Sequence, residues 1–66
     1  MQILINGEAT EIPQDLSMAA LIERLDLSGK RVAVEVNRDL VPRSRFETHR
    51  LAPGDRVEII HAVGGG

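Results

Sequence analysis

The sequence predicts an α+β fold in which one amphipathic helix lies across one face of a small sheet. Three features carry that expectation. Apolar residues alternate with polar ones near both ends of the chain, the period lengthens to that of a helix in between, and an Asn-Gly pair stands where the first alternating run must turn back.

In chain order, Met1, Ile3 and Ile5 alternate with Gln2, Leu4 and Asn6, the two-residue period of a strand. Asn6-Gly7 is a hairpin signal because both residues tolerate the positive φ of a tight primed turn. Glu8 to Ile12 reads as the returning strand, stopped by Pro13. From Ser17 the period changes: Met18, Leu21, Ile22 and Leu25 fall on one stripe of a helix expected over residues 17–27. The Ser17 hydroxyl can cap its first turn, and Gly29 stands where a left-handed terminator is wanted. Alternation returns at Val32, Val34 and Val36. Residues 37–49 are irregular and rich in arginine, with room for a short strand around Val41-Pro42-Arg43. Pro53-Gly54-Asp55 then turns into a last strand, in which Val57 and Ile59 alternate with Glu58 and Ile60 and which His61 finishes. The expected core is the helix stripe with Met1, Ile3, Ile5, the three valines, Val57 and Ile59. The first and last strands are expected to be neighbours, with Leu4 and Ile60 on the open face of the sheet.

Composition sets the limits. The chain has 66 residues, 42% of them hydrophobic and nearly all of those aliphatic; Phe46 is the only aromatic and there is no cysteine. A domain of this size buries only roughly 60% of the surface of its unfolded chain, so each core contact counts. Without cysteine there is no disulfide scaffold, zinc ribbon or thiol nucleophile, and a reducing, cytoplasmic setting fits. The net charge of −2 creates no field that would draw nucleic acid or an anionic membrane, and one Phe supplies no stacking platform. The charge is uneven: residues 1–26 balance at −4 and residues 27–66 at +2. No apolar run approaches the length of a membrane span, so a soluble protein is expected.

Catalytic constellations are weak. Ser44, His49 and Asp55 are the letters of a triad, but nothing in their spacing brings them together. Two histidines without ligand spacing make no metal site. The glycines do not form a phosphate loop, since none of them opens a helix. Arg38, Arg43, Arg45 and Arg50 read as a solvated face or a docking surface for an acidic partner. What remains is the terminal Ala62-Val63-Gly64-Gly65-Gly66. It reads equally as a disordered terminus and as a tail able to thread a channel too narrow for any Cβ, delivering a carboxylate to another protein's nucleotide site.

The stretch Val36-Asn37-Arg38-Asp39-Leu40-Val41-Pro42-Arg43, followed by Leu51-Ala52-Pro53-Gly54-Asp55-Arg56-Val57-Glu58-Ile59-Ile60 and the Gly-Gly end, closely resembles the bacterial sulfur carriers of thiamine (thiazole) biosynthesis. The similarity extends to the opening Met-Gln-Ile-Leu and the Asn-Gly hairpin, and so covers essentially the whole chain. Gly64 is the one local departure, standing where relatives carry another small residue.

That resemblance implies a ubiquitin-like β-grasp fold: one helix across a mixed four- to five-stranded sheet over residues 1–62, then a flexible reactive tail at residues 63–66. It implies a co-substrate rather than an enzyme, with no bound cofactor and monomeric when free. A ubiquitin-activating-like adenylyltransferase would consume ATP to adenylate the Gly66 carboxylate, with Gly64 and Gly65 delivering it. Sulfur from a cysteine desulfurase relay would leave a thiocarboxylate, which thiazole synthase would take up to build thiazole phosphate. Leu4, Ile60 and Val63 would form the apolar docking patch for these partners, rimmed by Arg43 and Arg56. The alternatives are the small subunit of molybdopterin synthase, a carrier for tRNA thiolation, a ubiquitin-like protein modifier, and a passive β-grasp interaction module.

Overall fold

The computed structural model describes residues 1–61. The glycine tail expected at 63–66, and its boundary with a domain ending at residue 62, lie outside the described residues.

The chain forms β1 (Gln2–Ile5), β2 (Glu8–Glu11), α1 (Met18–Arg24), β3 (Val32–Val36), β4 (Asp39–Val41), a 3-10 turn η1 (Arg43–Arg45) and β5 (Arg56–His61). The strands make one sheet in the order β2-β1-β5-β3-β4. β1 and β5 run parallel, and every other pair is antiparallel. The first and last strands are therefore neighbours, as the alternating patterns require, and the sheet is mixed.

Two hairpins share one turn chemistry. Asn6 and Gly7 have φ of 50° and 84°, and Asn37 and Arg38 have φ of 51° and 73°. Positive φ at both central residues is the signature of the primed turn that matches strand twist. The first turn was legible as Asn-Gly. The second converts part of the expected irregular segment into the β3–β4 hairpin, with Val36 opposite Asp39 and Val34 opposite Val41.

Helix α1 begins as expected and ends early. The Ser17 Oγ accepts the Ala20 N–H at 3.1 Å. Two further free amides of the first turn are satisfied from residues 46–49: Met18 N–H donates to the His49 carbonyl and Ala19 N–H to that of Phe46, at 2.9 and 2.8 Å. This is how a segment without regular structure anchors the helix start. At the other end the residue that closes the helix is Asp26, φ 62°; Gly29 is left-handed as well, φ 80°, but lies three residues further on, in the following turn. Leu27 N–H donates to the Ile22 carbonyl and Asp26 N–H to that of Glu23, both at 3.0 Å. Those two bonds form a Schellman closure, which the sequence conceals because aspartate stands where glycine is usual.

The core lies between α1 and one sheet face. It contains Ile3, Met18, Leu21, Ile22, Val34, Val36, Val57 and Ile59, all from the expected set, and adds Ile12, Val41, Phe46 and Leu51. Met1, Ile5, Leu25 and Val32 are only partly buried and pack against its margin. Leu25 is demoted because α1 has already ended: it is the C-cap residue, beyond the last full turn. The Ala52–Asp55 turn has Gly54 at φ 82° and an Asp55 N–H to Ala52 carbonyl bond of 3.1 Å, the geometry a Pro-Gly pair favours.

Candidate functional site

With α1 covering one face, the other face of the sheet is open, and strand register fixes what it carries. Leu4 stands between Ala9 of β2 and Arg56 of β5. The next row holds Glu58, Glu35 and Leu40; the row after it holds Ile60 opposite Ala33. Ile60 and Leu40 are 72% and 69% exposed, the large apolar side chains most open to solvent among the described residues. Leu40 was not foreseen as part of the patch, because its place depends on the β3–β4 register.

The expected patch residues do not gather at one point. Arg56 and Ile60 lie four residues apart on β5, about 13 Å along the strand, so Leu4 beside Arg56 is separated from Ile60 by the Glu58 row. Arg56 does rim Leu4. Arg43 is elsewhere: it opens η1 and its Nη2 donates to the Lys30 carbonyl at 3.0 Å, beside Ile22, Leu27 and Phe46 under the helix end. Val63, Gly64, Gly65 and Gly66 lie outside the described residues.

β5 is gripped at two points by asparagine side chains. At its start, Arg56 N–H donates to Asn37 Oδ1 at 3.0 Å, and Asn37 Nδ2 donates to Asp55 Oδ1 at 3.1 Å. Further along, Ile59 N–H donates to Asn6 Oδ1 at 2.9 Å and Asn6 Nδ2 donates to the Ile59 carbonyl at 3.2 Å. Both asparagines were read for their tolerance of positive φ or for family likeness. Their grip on β5 requires knowing that β5 lies between β1 and β3.

Among the described residues the letters of the triad stand apart. An open groove of about 590 Å³ runs beside β4 past Leu40, Arg45, His49, Arg50 and Asp55. Ser44 is not among its walls, so the letters of the triad do not assemble. Asp55 is committed to the turn, accepting the Ala52 N–H at 2.8 Å, and Arg50 Nη1 donates to the Asp15 carbonyl at 3.2 Å. Among the described residues no three His, Asp or Glu side chains group to hold a metal ion. No helix among them is long and apolar enough to cross a membrane.

The ThiS family model matches residues 3–66 of the chain. Over all 66 residues the chain is 30% identical to the whole of the sulfur carrier protein ThiS of Escherichia coli. It is 35% identical over its full length to part of a thiazole synthase from Paramagnetospirillum magneticum, of which it spans 20%. In three dimensions it superposes on the thiamine biosynthesis protein ThiS of Geobacter metallireducens with a TM-score of 0.84 and 28% identity, each chain covered completely.

Proposed function

The chain belongs to the ThiS family, and from that premise we propose that sulfur is carried on the carboxyl group of Gly66. The protein is a sulfur carrier of thiamine biosynthesis, a co-substrate and not a catalyst. The observation that supports Gly66 is the extent of the family match, which continues beyond the described residues to residue 66 and takes in Gly64, Gly65 and Gly66.

A carboxylate is a poor electrophile, so loading needs an activated form. In the proposed sequence a Gly66 carboxylate oxygen attacks the α-phosphorus of ATP on an adenylating enzyme, and pyrophosphate leaves. The terminal sulfur of a relay persulfide then attacks the acyl carbon of the adenylate; the bond from that carbon to the AMP oxygen breaks, and AMP leaves with its electron pair. A thiol reductant cleaves the resulting acyl disulfide, and a thiocarboxylate remains. The thioacid holds nucleophilic sulfur in covalent form until it is used. Thiazole synthase is the proposed recipient, supported by the Paramagnetospirillum magneticum protein of that name, part of which is similar to the whole of this chain.

The open sheet face is the proposed docking surface for both enzymes. Its Leu40 and Ile60 are the most exposed large apolar side chains described, while the opposite face is filled by α1. Glycine at 64 and 65 leaves no Cβ in the channel that must admit the carboxyl group. Incubation with ATP, the adenylating enzyme and sulfide, followed by intact and fragment mass spectrometry, tests the reading. One oxygen-to-sulfur exchange mapped to Gly66 is expected in the wild type and none in Gly65→Val. Exchange at another residue, or an undiminished yield from Gly65→Val, would defeat it.

A further inference from the structure

The middle of the open sheet face is acidic. Asn37 N–H donates to the Arg56 carbonyl at 2.7 Å, and since alternate pairs of an antiparallel ladder are hydrogen-bonded, the next such pair is Glu35 with Glu58. Their Cα atoms therefore lie about 5.5 Å apart, and both residues are exposed on the face that α1 leaves uncovered. Among the described residues the ion pair found joins the Met1 amino group to Glu11, so neither carboxylate of the couple is neutralised there. Arg56 stands two residues from Glu58 on the same face of β5, yet makes no ion pair with it.

Apolar groups surround the two carboxylates. Leu40 is directly opposite Glu35 on β4, and Ile60 follows Glu58 by two residues on β5, about 7 Å away. On the β1 side a hollow of about 110 Å³ opens between Leu4, Gly7 and Glu58. A cation set between the carboxylates has apolar neighbours on three sides, and a protein docked over them shuts out water. A charge pair enclosed in that way interacts far more strongly than one on an open surface.

We infer that the Glu35–Glu58 pair is the recognition centre of the open face and takes a basic side chain of the adenylating enzyme, its stem lying in the hollow beside Leu4. This rests on the proposed docking role of that face. In the free chain the two carboxylates repel each other, and a guanidinium or ammonium group shared between them removes the repulsion on binding. The adenylating enzyme is the occupant because it must hold the triphosphate of ATP. A site built for such a polyanion carries an excess of positive charge, which an acidic face complements.

Titration calorimetry of the full chain with the adenylating enzyme, at low and high salt, tests this with Glu35→Gln, Glu58→Gln and the double variant. Glu23→Gln removes the same charge from an exposed position on α1 and is the control. Ile60→Ser removes apolar surface from the open face without changing its charge. Each single glutamine on the open face is expected to weaken binding about three- to tenfold, whereas Glu23→Gln should bind like the wild type. The double variant should flatten the salt dependence of the affinity. Urea midpoints measured in parallel separate lost recognition from lost fold. Wild-type affinity in Glu35→Gln and Glu58→Gln, with weaker binding by Ile60→Ser, would overturn the inference and leave the docking face in place. Wild-type affinity in all three would overturn both. A loss seen toward thiazole synthase and absent toward the adenylating enzyme would overturn the choice of occupant, and the inference with it.

Discussion

Glu35 and Glu58 stand directly opposite each other on β3 and β5, in the middle of the open sheet face, and neither forms an ion pair among the described residues. Like charges in cross-strand register destabilise a sheet. Replacing one should therefore stabilise the free protein: Glu35→Gln is expected to gain up to about 0.5 kcal/mol. The gain should shrink as salt screens the pair. Urea midpoints at low and high ionic strength check this. A gain of the same size in both would point to a cause other than repulsion.

The core makes an unequal prediction for two leucines of one stripe. Leu21 is 1% exposed, whereas Leu25 lies at the margin of the core. Leu21→Ala should cost about 2–5 kcal/mol, much of what so small a domain possesses. Leu25→Ala should cost clearly less, because water already reaches its side chain. Chemical denaturation of the two variants side by side measures the gap, and equal losses would contradict the burial assignment.

Arg38 holds a left-handed conformation that an L side chain resists. Arg38→Gly restores the Asn-Gly pair that primed hairpins favour and should raise stability by about 0.5–1 kcal/mol, net of the added freedom of the unfolded chain. A rise in Tm without loss of the β3–β4 amide protection is the expected signature. A fall would show that the arginine side chain contributes more to the native state than its strained torsion costs.

Ile60 offers a direct examination of the proposed docking face. Because it is 72% exposed, Ile60→Asp should leave the urea midpoint nearly unchanged while weakening binding to the two proposed partners, the adenylating enzyme and thiazole synthase. Leu40→Asp should act in the same direction. Titration calorimetry with each partner separates the two contributions; unaltered affinity for both variants would remove the open face from the account.

Period and punctuation made most of the fold legible. Alternation alone identified β1, β3 and β5, because each of those strands sends every second side chain into the core. β4 was not legible as a hairpin partner. Its turn is Asn37-Arg38, and without glycine the second residue gives no hint of positive φ. With that turn unseen, Leu40 could not be placed opposite Glu35. Phe46 and Leu51 were hidden for another reason: each is an isolated anchor in the non-periodic segment around η1, and a single buried residue has no period to detect. Glycine misled only about where the helix closes: Gly29 is left-handed, but Asp26 holds the terminating position three residues earlier. At the candidate site, Ile60 followed from simple alternation. The Asn6–Ile59 contact did not, since it joins residues 53 positions apart and exists only because β1 and β5 are parallel neighbours.

The central place of β5 also governs when the protein can fold. It comes last in chain order among the described strands, yet it sits between β1 and β3. Until residues 56–61 have emerged from the ribosome, the nascent chain holds two separate hairpins with no strand to join them, and a two-stranded hairpin alone is marginal in water. Closure must then bring together segments from opposite ends of the chain, so its rate is set by the entropy of long loops. A translation product broken off before Arg56 lacks the middle of its sheet, and its two hairpins have no strand on which to close.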